Sequence, residues 1–163
     1  MMSGHFYPVY KTGVTLNELP NHIAFYIQLA ECKIRCEGCH SKFLWGKCKR
    51  KSLEFILSLV KEQIKIGVDS IIIFGDTNNN ISDNEFFILC KSLSKLAPVC
   101  VYSGANSVED SLGDIATLKY LSYIKLGNYD SSFGALSSSL TNQHLYTVKN
   151  GEISEDITYL FWR

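Results

Sequence analysis

Cys32, Cys36 and Cys39 stand at C-x3-C-x2-C spacing in the stretch Cys32-Lys33-Ile34-Arg35-Cys36-Glu37-Gly38-Cys39. Three thiolates that one loop can gather form a metal-binding set, and their number decides what the metal can do. A structural zinc ion closes its tetrahedron with four protein ligands. Here the fourth would have to be His40 or Cys48, and His40, directly after Cys39, is awkward for sharing one ion with it. A four-iron, four-sulfur cluster on three cysteines instead keeps one iron open, where a small molecule can chelate. Spacing alone leaves both metals in play.

A reactive loop needs rigid elements before and after it. Ile23 to Leu29 is rich in β-branched and aromatic residues and predicts a buried strand leading into the cysteines. Behind them Leu53, Ile56, Leu57, Val60 and Ile64 recur at helical spacing, with Ser52 as N-cap and Gly67 as the stop. The unbroken run Ile71 to Phe74 predicts a strand covered on both faces. Ser82-Asp83-Asn84-Glu85 has capping-box spacing and opens a helix that carries Phe86, Leu89, Cys90 and Leu93 on one face. Asn78-Asn79-Asn80 between them is expected to be a surface loop. Val99 to Tyr102 and Leu121 to Leu126 are strand-like, with a less regular helix or turn from Val108 to Leu118. After a loop over Ser131 to Ser139 come a strand from His144 to Val148, a tight turn at Asn150-Gly151 and a closing strand from Ile157 to Trp162. Alternating strands and helices imply a parallel α/β sheet with right-handed crossovers, open or curled into a partial barrel. The cysteine loop follows the first strand of the series and so falls on the carboxyl edge, where such sheets bind ligands.

Composition narrows the class. The chain has 163 residues, a formal net charge of +0, 46% hydrophobic residues and six cysteines. That length supports a single domain over 1–163, with 31–51 as a metal-binding loop, and is short of the ~250 residues of a complete eight-fold barrel. Balanced charge argues against a nucleic-acid or anionic-membrane binder. Met1 to Tyr10 lacks a basic and then apolar leader pattern, and no aliphatic run approaches the roughly 18 residues of a membrane span. The expected compartment is the reducing cytoplasm, where clustered cysteines signal metal or redox chemistry.

The neighbouring residues sharpen this. Cys36-Glu37-Gly38-Cys39-His40-Ser41 with Trp45 resembles the C-x-G-C-[HY]-[NS]-x3-W signature of glycyl-radical-enzyme activases in the radical S-adenosylmethionine (SAM) superfamily. Within them it is most similar to the activators of anaerobic (class III) ribonucleoside-triphosphate reductase. Ile73-Phe74-Gly75-Asp76 sits at that family's G-G-[ED] motif, and Tyr102-Ser103-Gly104 at its Y-[ST]-G. The segments Tyr123 to Tyr129, Thr141 to Gln143 and Asp156 to Trp162 resemble one branch of it. The resemblance implies a partial, open β/α barrel of the radical SAM type with a mostly parallel sheet. It implies a [4Fe-4S] cluster on Cys32, Cys36 and Cys39, and SAM contacts from Gly38, His40, Gly75, Asp76 and Ser103. SAM would chelate the open iron. One electron would break its sulfonium to give methionine and a 5′-deoxyadenosyl radical, which takes hydrogen from a glycine of the reductase's large subunit. The chain departs from the family at Phe74 (first glycine of G-G-[ED]), at Thr77 (often proline) and at His144 (often arginine). Glu18-Leu19-Pro20 also stands in place of a G-P-G segment. An aromatic Phe74 is expected to narrow the SAM pocket.

Lys47, Lys49, Arg50 and Lys51 make a basic cluster beside the loop, either a solvated face or a dock for an acidic, flavodoxin-like electron donor. Cys90 and Cys100 fit core packing, and Cys48 fits a spare ligand, a redox target or an inert thiol. Trp45 fits a wall of the cofactor site or plain packing. His5, His22 and His144 show no partner pattern, and Asn142-Gln143 are candidates for fixing the C-terminal loop near the reductase.

Overall fold

The computed structural model describes residues 4–33, 46–130 and 132–162. Strands β1 (Phe6–Tyr7), β2 (Val9–Thr15) and β3 (Ala24–Leu29) precede the cysteine stretch. After it come β4 (Lys51–Ser52), α1 (Leu53–Lys65), β5 (Ser70–Phe74), α2 (Asp83–Ser94), β6 (Val99–Tyr102), α3 (Val108–Leu112) and β7 (Tyr123–Leu126). The hairpin β8 (His144–Lys149) and β9 (Glu152–Asp156) follows, then a 3-10 turn over Thr158–Phe161. Seven strands form one sheet in the order β2-β3-β5-β6-β7-β8-β9, and β1 pairs with β4 apart from it. Among the described residues no helix is long and apolar enough to cross a membrane.

This sheet overturns the expected mostly parallel, partial β/α barrel of the radical SAM type. Only β3, β5, β6 and β7 run parallel. The pairings β2–β3, β7–β8 and β8–β9 are antiparallel, so the sheet is mixed. The strand–helix unit stops at β7, and both flanks are hairpin-like additions. Two sequence features explain the error. Val9 to Thr15 alternates poorly, since β2 is an edge strand, and the expectations above assign it no element. At the other end Asn150 (φ 54°) and Gly151 (φ 77°) make a turn that returns the chain at once. The closing strand is therefore Glu152–Asp156, wholly exposed, and not Ile157 to Trp162. Asp156 Oδ1 accepts from the Thr158 N–H at 3.0 Å and starts a 3-10 turn there instead.

The two faces of the sheet are buried differently. Phe25, Ile27, Leu29, Ile71, Ile73, Val99 and Val101 point to the helices and pack with Ile56, Val60, Phe86, Leu89 and Leu93. Both long helices start on a serine that accepts an amide N–H of its first turn, Ser52 from Phe55 and Ser82 from Glu85, each at 3.1 Å. The carboxylate of Glu85 serves another partner, the Nδ1 of His5 at 2.8 Å. On the opposite face Ala24, Ile72, Cys100 and Leu145 are covered by Leu19, from the β2–β3 connection, and by Ile157. Among the described residues no α-helix joins that second cluster. In its upper part Gln28, Phe74, Tyr102 and Lys125 stand in register across four adjacent parallel strands.

Candidate functional site

The carboxyl edge of the parallel strands is where the candidate residues meet. Glu31, one residue past Ala30, has φ 60°, a left-handed conformation that turns the chain off the sheet into the cysteines. Its N–H bonds the Gly46 carbonyl at 3.2 Å, so the two sides of the cysteine stretch are pinned to each other. Arg50 reinforces the closure. Its guanidinium contacts Glu31 Oε1 at 3.3 Å and donates to the carbonyls of Asn80 at 3.0 Å and Phe6 at 3.3 Å. Burial opposes ionisation of Glu31, but the Asn80 amide and the Arg50 charge outweigh it and hold the carboxyl below its ordinary range. Cys32 is half-buried with a free thiol.

Across the edge, Gly75 has φ 136° and leads into Asp76. Asp76 is only 1% exposed. Its Oδ1 accepts the Asn78 N–H at 2.7 Å, and its Oδ2 accepts the Ser103 hydroxyl. Burial pushes the Asp76 carboxyl up, and these hydrogen bonds, Ser103's first, only partly counter it. Ser103 Oγ in turn accepts the Ala105 N–H at 2.9 Å, which fixes the turn after β6.

Two hollows flank this line. One of about 280 Å³ opens at the carboxyl edge among Asn78, Gly104, Asn106, Asp110 and Asn128. The other, about 440 Å³, lies on the helix-free face between Tyr10, Glu18, Tyr26, Gln28 and Phe74. The larger falls within the size range of small-molecule sites, about 300–1,000 Å³, and the smaller lies just below it. The Phe74 ring packs against Tyr102 at 5.1 Å and Tyr26 at 5.5 Å between centroids. It thus forms a wall of the larger cleft. Buried Lys125 closes the row, with Nζ donating to the Gly127 carbonyl at 3.1 Å.

The structure therefore brings Cys32, Gly75, Asp76 and Ser103 to one edge. Cys36, Gly38, Cys39 and His40, with Trp45, lie outside the described residues. Among the described residues, which do not include two of the three proposed ligands, no three His, Cys, Asp or Glu side chains form a metal-ligating group. Three thiolate-forming side chains suit a thiolate-bound metal centre, and of these the structure describes the half-buried Cys32, beside the Glu31–Gly46 hydrogen bond that pins the two sides of the stretch. No protein-family model, curated protein or solved structure matches the chain. The case for function rests on these residues.

Other residues take different places. Cys90 and Cys100 are fully buried, and burial pushes both thiols up, which leaves them packing groups. Cys48 is half-buried, its thiol raised by burial and then by the charge of Glu31. Each histidine outside the cysteine stretch has a carboxylate partner, His5 with Glu85, His22 with Asp69 and His144 with Asp156. Asn142 Nδ2 donates to the Asn128 carbonyl at 2.9 Å and so ties the β7–β8 connection together. Sequence reasoning missed Asn79, which is buried and hydrogen-bonded to both halves of the edge. The signal was present in the residue type, because asparagine carries donor and acceptor together.

Proposed function

We propose that the chain is a SAM-dependent iron–sulfur activase that generates the glycyl radical on an anaerobic ribonucleoside-triphosphate reductase, in a reducing cytoplasm. One observation carries the reading: the strand exit at Ala30, two residues before Cys32, the Gly75–Asp76 turn and Ser103 lie on one strand edge, joined by hydrogen bonds of the Asn79, Asp76 and Ser103 side chains. Cys32, with Cys36 and Cys39, would hold the cluster. The bound cofactors supply a one-electron cleavage of a sulfonium whose product removes a hydrogen atom from the partner's glycine. The chain's own residues bind and orient. Asp76 is the group to face the ammonium of SAM, by releasing the Ser103 hydroxyl in exchange for a charge-assisted bond. The rings of Tyr26, Phe74 and Tyr102 keep water from the open face beside it. Gln28, in register with Phe74, offers an amide at the same level.

Anaerobic purification tests this directly. The expected protein is brown, holds about four irons per chain, and with SAM, a reductant and the reductase yields a glycyl radical by electron paramagnetic resonance. A colourless protein containing one zinc overturns the proposal.

The electron donor is proposed to be acidic and flavodoxin-like. Arg50 is engaged by Glu31 and Asn80, so the docking charge falls to exposed Lys47 and Lys49. Lys47→Glu with Lys49→Glu should slow cluster reduction by a flavodoxin roughly tenfold at low ionic strength, with the difference fading in high salt. Dithionite, which needs no docking, should reduce both proteins alike. Equal flavodoxin rates at low salt would remove this dock.

A further inference from the structure

A second cluster of polar side chains lies at the amino-terminal edge of the parallel strands, the edge opposite the strand exit that leads to Cys32. His22 closes the β2–β3 connection, Asp69 directly precedes β5, and Tyr123 opens β7. His22 Nδ1 lies 2.9 Å from Asp69 Oδ1, and its Nε2 lies 3.1 Å from the Tyr123 hydroxyl. The backbone holds this arrangement. The Asp69 N–H donates to the Ile23 carbonyl at 2.9 Å, and the Ile23 N–H donates to Asp69 Oδ1 at 3.3 Å. One placement of protons satisfies all three side chains. Burial opposes ionisation of Asp69, but the hydrogen bond from His22, and then that from Ser70, outweigh it and hold the carboxyl below its ordinary range. An ionised carboxylate only accepts, so Nδ1 carries the imidazole proton and Nε2 is left as a bare acceptor for the Tyr123 O–H. Burial pushes the Tyr123 phenol up, so it keeps its proton at neutral pH. His5 and His144 also meet carboxylates, but among the described residues His22 is the histidine with a carboxylate on one ring nitrogen and a phenol on the other.

We propose that Tyr123 is a redox-active tyrosine, whose phenolic proton passes to His22 when an outer-sphere one-electron oxidant takes its electron. In that step the phenol O–H bond breaks and an N–H bond forms at Nε2, across the 3.1 Å hydrogen bond already in place. The products are a neutral tyrosyl radical, an imidazolium and the oxidant reduced by one electron. Reduction of the radical returns the proton along the same bond. His22 acts as the positioned base. Asp69 is a positioning residue, which sets the tautomer and then faces the imidazolium with a charge-assisted hydrogen bond. This site goes beyond the activase reading and does not need it. Aromatic side chains on the same face of the sheet lead toward it. Tyr26 and Phe74 are 5.5 Å apart between centroids, and Phe74 and Tyr102 are 5.1 Å apart. Tyr102 and Tyr123 pack against the same buried cluster, and Cys100, two residues before Tyr102, is the strand partner of Tyr123.

The experiment is flash photo-oxidation of the whole protein at neutral pH. Ruthenium(II) trisbipyridine with a sacrificial electron acceptor generates the ruthenium(III) oxidant in solution, and freeze-quenched electron paramagnetic resonance reads the radical. The native protein should give a tyrosyl signal with an exchangeable proton coupling from the imidazolium hydrogen bond. The chain has nine tyrosines, so unselective oxidation would cost Tyr123→Phe only about a ninth of that signal, whereas the proposal requires most of it to vanish. His22→Ala should slow the rise of the radical by about 100-fold, the low end of what a positioned base contributes. Added imidazole should restore part of the rate, a rescue that loss of a merely structural contact does not permit. A native protein with no tyrosyl signal overturns the proposal, as does a Tyr123→Phe protein that keeps the signal or a folded His22→Ala protein with the native rate. Tyr123→Phe removes one oxygen from a half-buried ring and keeps the packing, so it decides the matter even where His22→Ala does not fold.

Discussion

Cys32→Ala is expected to give a folded protein that keeps no cluster and does not cleave SAM. The residue is only half-buried and lies outside every strand and helix, so the fold should change by no more than about 0.5 kcal/mol, as for an ordinary surface substitution. The proposed cluster would depend on it far more. Changes to groups that merely support a metal ligand cost about 10–100-fold, and loss of a ligand itself should exceed that. Iron per chain should fall from about four to near zero after anaerobic reconstitution. Reductive SAM cleavage should fall by more than ~100-fold. Cys90→Ala is the control, because its buried thiol belongs to the helical core and should affect stability without affecting iron. A Cys32→Ala protein that still held four irons would show that the iron is bound by other ligands.

Asp76→Asn should raise stability and lower SAM binding together. The carboxyl is buried and raised from its ordinary range by that burial, with Ser103 and the Asn78 amide opposing. Between the unfolded value of about 3.9 and the raised folded value, the native state holds a proton that the unfolded chain has released. Native stability therefore falls as pH climbs through this window, and above it the ionised carboxylate remains a constant cost. Asparagine has no such slope and can still accept the Asn78 N–H. Native and variant proteins should melt closest together in acid. The variant should lead at pH 8, by about 2–4 °C for each kcal/mol recovered. Removing a hydrogen bond to a charged ammonium costs about 1.5–3 kcal/mol, or roughly 10–100-fold in SAM affinity. A variant that melts below the native protein at pH 8, or whose lead is the same at every pH, would show that Asp76 is not held at a cost. Unchanged SAM affinity would remove it from the binding role.

The elements nearest the cysteines were the most legible. Val99–Tyr102 matches its expected bounds, and β3 and β5 differ from theirs by a single residue, because strands buried on both faces announce themselves as apolar runs. Ser52 and Ser82 gave away both helix starts through their capping chemistry. What failed was information the local pattern does not carry. β2 and β9 are edge strands with one solvated side, so their sequences show little of the alternation that marks a buried face. The partners of His5 and His22 lie 80 and 47 residues away, and only the folded chain brings them together. Asn79 was misread for a related reason. Polar residues in a row resemble a surface loop unless the backbone groups they satisfy, here the carbonyls of Leu29 and Ala30, are known. Arg50, which in sequence belongs to a basic cluster open to reading as a solvated face or a dock, contacts Glu31 in the fold, a partner 19 residues away that local pattern does not show.

The exposed strand β9 bears on self-association. As the last strand of the order, it leaves a row of backbone donors and acceptors that no other described strand pairs with, a template on which a foreign strand could extend the sheet. Glu152 and Glu155 stand along that strand with exposed side chains. A second copy arriving edge to edge would set like charges side by side, so the sheet is discouraged from growing into a fibre at this end.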